Sequence, residues 1–139
     1  MRRDLLLSPL GLPCNPPPWG MLTAVNLNDG TLRWESVLGT IRDLAPVPVP
    51  IRWGTPNFGG PIVTAGQLVF IGAAMDDYLR AFDAATGAEL WKGRLPAGGQ
   101  ATPMSYVWQG RQYVVIAAGG HARAGTRLGD SVVAFALTD

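Results

Sequence analysis

Ala81-Phe82-Asp83-Ala84-Ala85-Thr86-Gly87-Ala88-Glu89-Leu90-Trp91 decides the fold, because the chain carries this stretch twice. Moved back 57 positions, from Ala81 to Ala24, it lies without a gap over Ala24-Val25-Asn26-Leu27-Asn28-Asp29-Gly30-Thr31-Leu32-Arg33-Trp34, matching at Ala, Gly and Trp. Each copy is an apolar run, a turn and a second run closing on tryptophan. Glycine at the turn supplies the positive φ that a tight hairpin demands. A third, weaker copy begins at Ala134-Phe135-Ala136-Leu137 and stops before its turn and tryptophan.

Outward from the repeat, β-branched and aromatic runs recur at 22–27, 61–65, 68–73, 78–84 and 89–95, and again at 102–108, 111–118 and 131–137. Closed by Gly, Asp or Asn, they read as short antiparallel strands, and helical periodicity is absent over any useful length. One hairpin plus a docking tryptophan, repeated with further strands between copies, is the sequence pattern of β-propeller blades. The fold class is therefore all-β, a partial β-propeller of about two and a half blades. Residues 61–95 make one complete four-stranded blade, 22–27 and 31–38 the outer pair of the blade before it, and the last three runs a blade lacking its fourth strand. Such a set cannot close a ring, and open sheet edges are liabilities. The chain is thus expected to be the C-terminal piece of a larger propeller. Trp34 and Trp91, at matched repeat positions, are expected to dock between blades. Residues 39–60, with Pro46, Pro48, Pro50 and Pro56, read as a long rim loop that either builds a site or wraps the scaffold.

Composition narrows the function. Eighteen Gly and 12 Pro among 139 residues exclude a helical bundle. Charged residues at 15% are sparse and apolar residues at 47% ordinary, so the chain is neither disordered nor a solvated tail. A net charge of +1 provides no field for nucleic acid, and no nucleotide-binding G-x-x-x-x-G-K-[ST] or G-x-G-x-x-G is present, so no nucleic-acid partner is expected. One Cys and one His can form neither an internal disulfide nor a structural zinc site. Cys14 reads as a small buried apolar residue. Met1-Arg2-Arg3-Asp4-Leu5-Leu6-Leu7 imitates a signal peptide, but Ser8 and Pro9 break the run and no small-residue cleavage site follows, so no targeting segment is expected.

The Ala-x-Asp-x-x-Thr-Gly-x-x-x-Trp pattern of 81–91 resembles the docking motif of the quinoprotein dehydrogenases, which bind pyrroloquinoline quinone (PQQ). Four further segments make the resemblance specific: Pro13-Cys14-Asn15-Pro16-Pro17-Pro18-Trp19-Gly20, Gly54-Thr55-Pro56-Asn57-Phe58-Gly59-Gly60-Pro61, Leu95-Pro96-Ala97-Gly98-Gly99-Gln100-Ala101-Thr102-Pro103-Met104 and Ala117-Ala118-Gly119-Gly120-His121. Together they are similar to the C-terminal part of the membrane-bound glucose, quinate and shikimate dehydrogenase group, over about residues 8–137. The resemblance implies an eight-bladed propeller holding PQQ and a divalent cation, Ca2+ or Mg2+. It implies oxidation of a sugar or polyol by hydride transfer to the quinone, with electrons passed to ubiquinone, at the periplasmic face of the inner membrane. In that group the catalytic Asp base, a cofactor-contacting Lys and the main metal ligands lie upstream of the part corresponding to Met1. The chain is then expected to hold no catalytic residue and no metal ligand of its own, to need the remainder of the propeller, and to lack turnover alone. The competing reading is a non-catalytic quinoprotein-like scaffold that binds protein partners. Scaffold repeats need only the turn and tryptophan, and have no reason to carry the Gly-Gly-His and Gly-Thr-Pro-Asn loops.

Three residues carry the site expectation. His121, the single histidine, follows an apolar run in a Gly-Gly-His turn. It is either a loop histidine satisfied by backbone hydrogen bonds or, as the resemblance implies, a hydrogen-bonding and orienting group near quinone and substrate. Asp76, beside Asp77 in a bend, is either a solvated turn former or, by resemblance, close to the cofactor. Two adjacent carboxylates raise each other's pKa unless strand alternation points them apart. Asn57 sits in a Gly- and Pro-rich loop as an Asx-turn residue or as a cofactor or substrate contact. Arg123 and Arg127 are either solvated charges or partners for an acidic substrate such as quinate.

Overall fold

The computed structural model describes residues 6–44 and 51–137. The start of the signal-like run and the middle of the 39–60 loop lie outside the described residues. Those described form three antiparallel sheets and two single 3-10 turns. The first sheet pairs β1 (Met21–Val25) with β2 (Leu32–Val37); the second runs β3 (Ile62–Val63), β4 (Leu68–Ile71), β5 (Tyr78–Asp83), β6 (Glu89–Arg94); the third runs β7 (Met104–Trp108), β8 (Arg111–Ala118), β9 (Ser131–Ala136). The internal repeat extends to a backbone irregularity. The register of β1 on β2 shifts between Ala24 and Val25, and that of β5 on β6 between Ala81 and Phe82, the same repeat position.

Why the second sheet reads as continuous apolar runs follows from where its faces go. Side chains alternate along a strand, and in the inner strands β4 and β5 both faces turn towards a neighbouring layer. Val69, Ile71 and Phe82 pack with Leu38, Ala73, Ala74 and Leu22 towards the first sheet. Phe70 and Leu79 pack with Leu95, Val114, Ile116 and Phe135 towards the third. A strand between two layers has apolar residues on both faces, so strict polar alternation vanishes; the buried charge of β5, Arg80, is tolerated because it is paired.

Tryptophan joins the first two sheets. Trp34 donates its Nε1–H to Ala84 O at 3.0 Å, and Ser36 Oγ donates to Gly87 O in the same turn. The ring lies so close over Gly87 that a Cβ there would meet Trp34 Cε3 at 2.5 Å. Trp91 does not repeat this arrangement. It meets Phe135 of β9 edge-on, ring centroids 5.0 Å apart, and remains 39% exposed. Its ring lies over its own strand instead, where a Cβ on Gly93 would meet Trp91 Cη2 at 2.5 Å.

One sequence expectation fails. Cys14 is exposed, not buried. Its segment folds back on itself through a Leu7–Pro13 bridge and reaches the remainder through the Trp19 N–H to Trp53 O bond at 2.8 Å and the edge-on Trp19–Trp53 pair, so the thiol stays outside both buried apolar clusters.

Candidate functional site

Strand direction sorts the connections onto two rims. The turns 26–31, 64–67, 84–88 and 109–110 close one rim, and the long connections lie at the other. At that second rim a chain of backbone bonds crosses all three sheets: Thr55 N to Leu38 O (3.0 Å), Phe58 N to Ala73 O (2.8 Å), Ala73 N to Gly99 O (2.8 Å) and Gly120 N to Gly98 O (2.8 Å). The loops singled out by resemblance therefore meet in one place.

Their glycines serve this meeting. A Cβ on Gly59, whose φ is +139°, would collide with Gln100 O. The Gly-Thr-Pro-Asn-Phe-Gly-Gly loop thus needs glycine for backbone packing against its neighbouring loop.

Asp76 is fully buried in the bend between β4 and β5, and its carboxylate is spent on protein partners. Oδ1 accepts from Arg80 Nη1 at 2.8 Å; Oδ2 accepts from Arg80 Nη2 at 2.6 Å, Thr40 N at 2.7 Å and Thr40 Oγ1 at 2.8 Å. The guanidinium is buried too and reaches Glu89 with Nε at 3.5 Å. Residue 76 is neither a solvated turn former nor an exposed acid; it ties the bend to the loop after β2. Asp77 points away from it, towards Arg94 Nη2 at 3.3 Å. Burial, then the Asp43 charge, pushes the Asp77 carboxyl above its usual range against the pull of Arg94, and Asp76 adds only a minor push. Asp43 is also partly buried, which alone would raise it. Its two bonds from Arg94, at 2.6 and 2.8 Å, hold it below the usual range.

His121 is half-buried at the start of the 3-10 turn Ala122–Ala124. Its Nδ1 accepts the Ala124 N–H at 3.2 Å, so in the neutral ring the proton sits on Nε2. Phe58 stacks on the imidazole, centroids 5.1 Å apart and planes 17° from parallel. Asn57, next to Phe58, is exposed at the loop tip. The structure thus brings the Asn57 loop directly to His121, whereas Asp76 joins them only through the bend it holds. Arg123 is exposed on the turn after His121, and Arg127 reaches Pro96 O at 3.5 Å.

This rim presents a flat aromatic pair, an imidazole N–H donor and a carboxamide. That set offers hydrogen-bond donors beside an aromatic surface to a ligand with acceptor oxygens. Among the described residues no group of three or more His, Cys, Asp or Glu gathers as a cation site requires. A groove of about 480 Å³ lined by Trp108, Gln109, Gly110, Arg111 and Tyr113 lies at the opposite rim, away from these groups.

The model of the family "Glucose/ethanol/alcohol dehydrogenase, beta-propeller domain", designated PQQ, matches residues 1–114. The chain belongs to this PQQ β-propeller dehydrogenase family. It is 53% identical over 137 residues to the quinoprotein glucose dehydrogenase of Escherichia coli (strain K12), covering 96% of this chain and 17% of that protein. It is 48% identical over 147 residues to the probable quinate dehydrogenase (quinone) of Xanthomonas campestris pv. juglandis, covering all of this chain and 18% of that protein. Among solved structures, the quinohemoprotein alcohol dehydrogenase from Comamonas testosteroni matches with a TM-score of 0.58 and 27% identity, over 90% of this chain and 17% of that one. The three sheets are accordingly part of a PQQ-dehydrogenase propeller, and the chain spans about a sixth of the relatives it matches.

Within this quinoprotein segment the residues that sequence reasoning missed are Phe58, Gln100 and Thr126. Phe58 carries an aromatic ring between Pro56-Asn57 and a Gly-Gly pair, a signal that the loop is presenting a flat surface. Gln100 and Thr126 gave no comparable signal.

Proposed function

We propose that this chain is the C-terminal segment of a quinoprotein dehydrogenase that oxidises a sugar or polyol of the glucose, quinate or shikimate type, at the periplasmic face of the inner membrane, with ubiquinone as the final acceptor. The supporting observation is the convergence of the Gly54–Gly60 loop and the Gly119–Gly120–His121 turn on one rim, with Phe58 stacked on His121. Bound PQQ, beside a Ca2+ or Mg2+ held mostly by residues outside this chain, supplies a two-electron acceptor for the hydride of a carbinol carbon. His121 holds its proton on Nε2 and donates it in a hydrogen bond to a carbonyl or carboxylate oxygen. Asn57 offers a second donor from the loop tip. Asp76 contributes from behind, by holding the bend on which both loops rest.

The remainder of the propeller is the partner this reading requires. Large apolar side chains left exposed on the outer sheets, Val25 and Leu32 on one side and Val107 and Val132 on the other, support it. Alone, the chain is expected to show no turnover.

The test is titration of the purified chain with PQQ and Ca2+, followed by tryptophan fluorescence and size-exclusion chromatography. Saturable, cation-dependent quenching in a monodisperse species supports a retained part of the cofactor site; a well-folded monomer without quenching points to the scaffold alternative. Dye-coupled oxidation of glucose or quinate by the chain alone, with PQQ and Ca2+ added, would overturn the expected lack of turnover.

A further inference from the structure

We propose that Gln100 and Thr126 are positioning residues for His121, joined in a hydrogen-bonded relay that crosses from the second sheet to the third and keeps the Nε2–H of the imidazole facing the rim. The polarity of the relay is fixed by its atoms. Gln100 Nε2 donates to Ala74 O at 2.7 Å, so its Oε1 is the acceptor that faces Thr126. Turning the amide over would set two acceptors against each other. The single hydroxyl proton of Thr126 therefore goes to Gln100 Oε1 at 3.3 Å, which leaves Oγ1 to accept the backbone N–H of His121 at 2.7 Å. Thr126 is itself buried.

Both ends of His121 trace to consecutive residues of one bend. Ala73 O receives the Phe58 N–H at 2.8 Å and thereby places the ring that stacks on the imidazole. Ala74 O receives Gln100 and thereby places the His121 backbone. The bend is held hard enough for the task. Ala73 is fully buried with φ +47°, a left-handed conformation that alanine adopts only where its surroundings impose it. Three residues on, Asp76 is locked by Arg80 and Thr40. Imidazole face, imidazole nitrogen and main chain are each fixed by a different contact, and one nitrogen is left to act.

The inference rests on the reading of His121 as the donor that faces the quinone, but its test does not need the quinone. His121 is the only histidine in the chain, so its ring and amide signals are unambiguous in NMR spectra. The 139-residue chain is expected to show the Nε2–H tautomer, ring protons displaced upfield by Phe58 and a protected His121 amide. Thr126→Val should abolish the amide protection and collapse the upfield displacement, and Thr126→Ser should restore both. Gln100→Met, which leaves the bonds within 121–126 untouched, should reduce both in the same direction, so that unfolding of one variant does not shield the proposal. Unchanged His121 signals in a folded Thr126→Val or Gln100→Met chain overturn it, as does an unprotected His121 amide in the unsubstituted chain. A chain with all the expected signals that gives no quenching with PQQ leaves the relay standing and removes His121 from the cofactor site.

Discussion

Gly30 and Gly87 form a matched pair for measuring how strongly one blade holds the next. They occupy the same repeat position with φ +72° and +73°, and each donates its N–H to the residue four back, at 2.7 Å to Asn26 O and 2.9 Å to Asp83 O. They differ in what lies above them: open space over Gly30, the Trp34 ring over Gly87. Alanine at either site incurs the left-handed backbone cost of roughly 1–2 kcal/mol, partly offset by about 0.4–1 kcal/mol from a less flexible unfolded chain. Gly87→Ala must in addition push the indole aside. Overpacking of that kind costs about 1–3 kcal/mol, and loss of the Nε1–H bond to Ala84 O adds roughly 1 kcal/mol. Gly30→Ala should therefore lower stability by about 1 kcal/mol or less, and Gly87→Ala by about 2–4 kcal/mol more. Urea unfolding followed by tryptophan fluorescence reads both, and the Gly87→Ala native emission should shift red as Trp34 is lifted into solvent. Trp34→Phe combined with Gly87→Ala should cost less than the two alone, because they disrupt one contact. Equal losses for the two glycines would refute the view that Trp34 on the Gly87 turn helps to hold these sheets together.

Two further perturbations separate the charged clusters. Arg80→Met strands the fully buried Asp76 carboxylate and should cost about 3–5 kcal/mol in thermal or urea unfolding; a loss near that of a surface pair would show that water reaches the acid. Asp77 and Asp43 should respond to pH with opposite signs. The Asp77 carboxyl is raised in the fold, so its ionisation opposes folding above its folded pKa and is without effect below the unfolded value of 3.8. Asp77→Asn should then raise Tm at neutral pH and give no gain in acid. Asp43 is lowered, so its stabilisation is present above 3.8 and lost as pH falls through its folded pKa. Asp43→Asn should lower Tm at neutral pH and converge with the parent in acid; parallel Tm-against-pH curves for the two variants would refute the assignment.

The strands were legible in sequence because their pattern is local. Every turn glycine closes a run, and the 57-residue offset showed which hairpins were equivalent. The stacking of sheets was legible in part. Trp34 and Trp91 each reach the neighbouring sheet as their repeat position predicts, but by different contacts, a hydrogen bond to Ala84 O for the first and an edge-on meeting with Phe135 for the second. Cys14 is exposed where its type predicts burial, because apolar character does not reveal whether a segment has a core around it. At the rim, His121 could be singled out by rarity and by its glycine turn, but its partners could not. Thr126 and Gln100 act through single hydrogen bonds across 26-residue separations, and such contacts leave no periodic trace. Asp76 illustrates the remaining gap. Its place in the bend was readable, but its engagement depends on Arg80 four residues along and on Thr40 in the loop after β2.

The division of the connections between two rims also dictates how the molecule can be handled. Gln109–Gly110 closes β7 and β8 on the rim opposite His121, and nothing lies within 4 Å of the position a Gly110 side chain would take. Tight exposed turns of this kind tolerate inserted sequence. A short anchoring peptide placed there would fix the chain to an electrode or bead with its histidine rim turned outward, so that every immobilised copy faces solution in the same orientation.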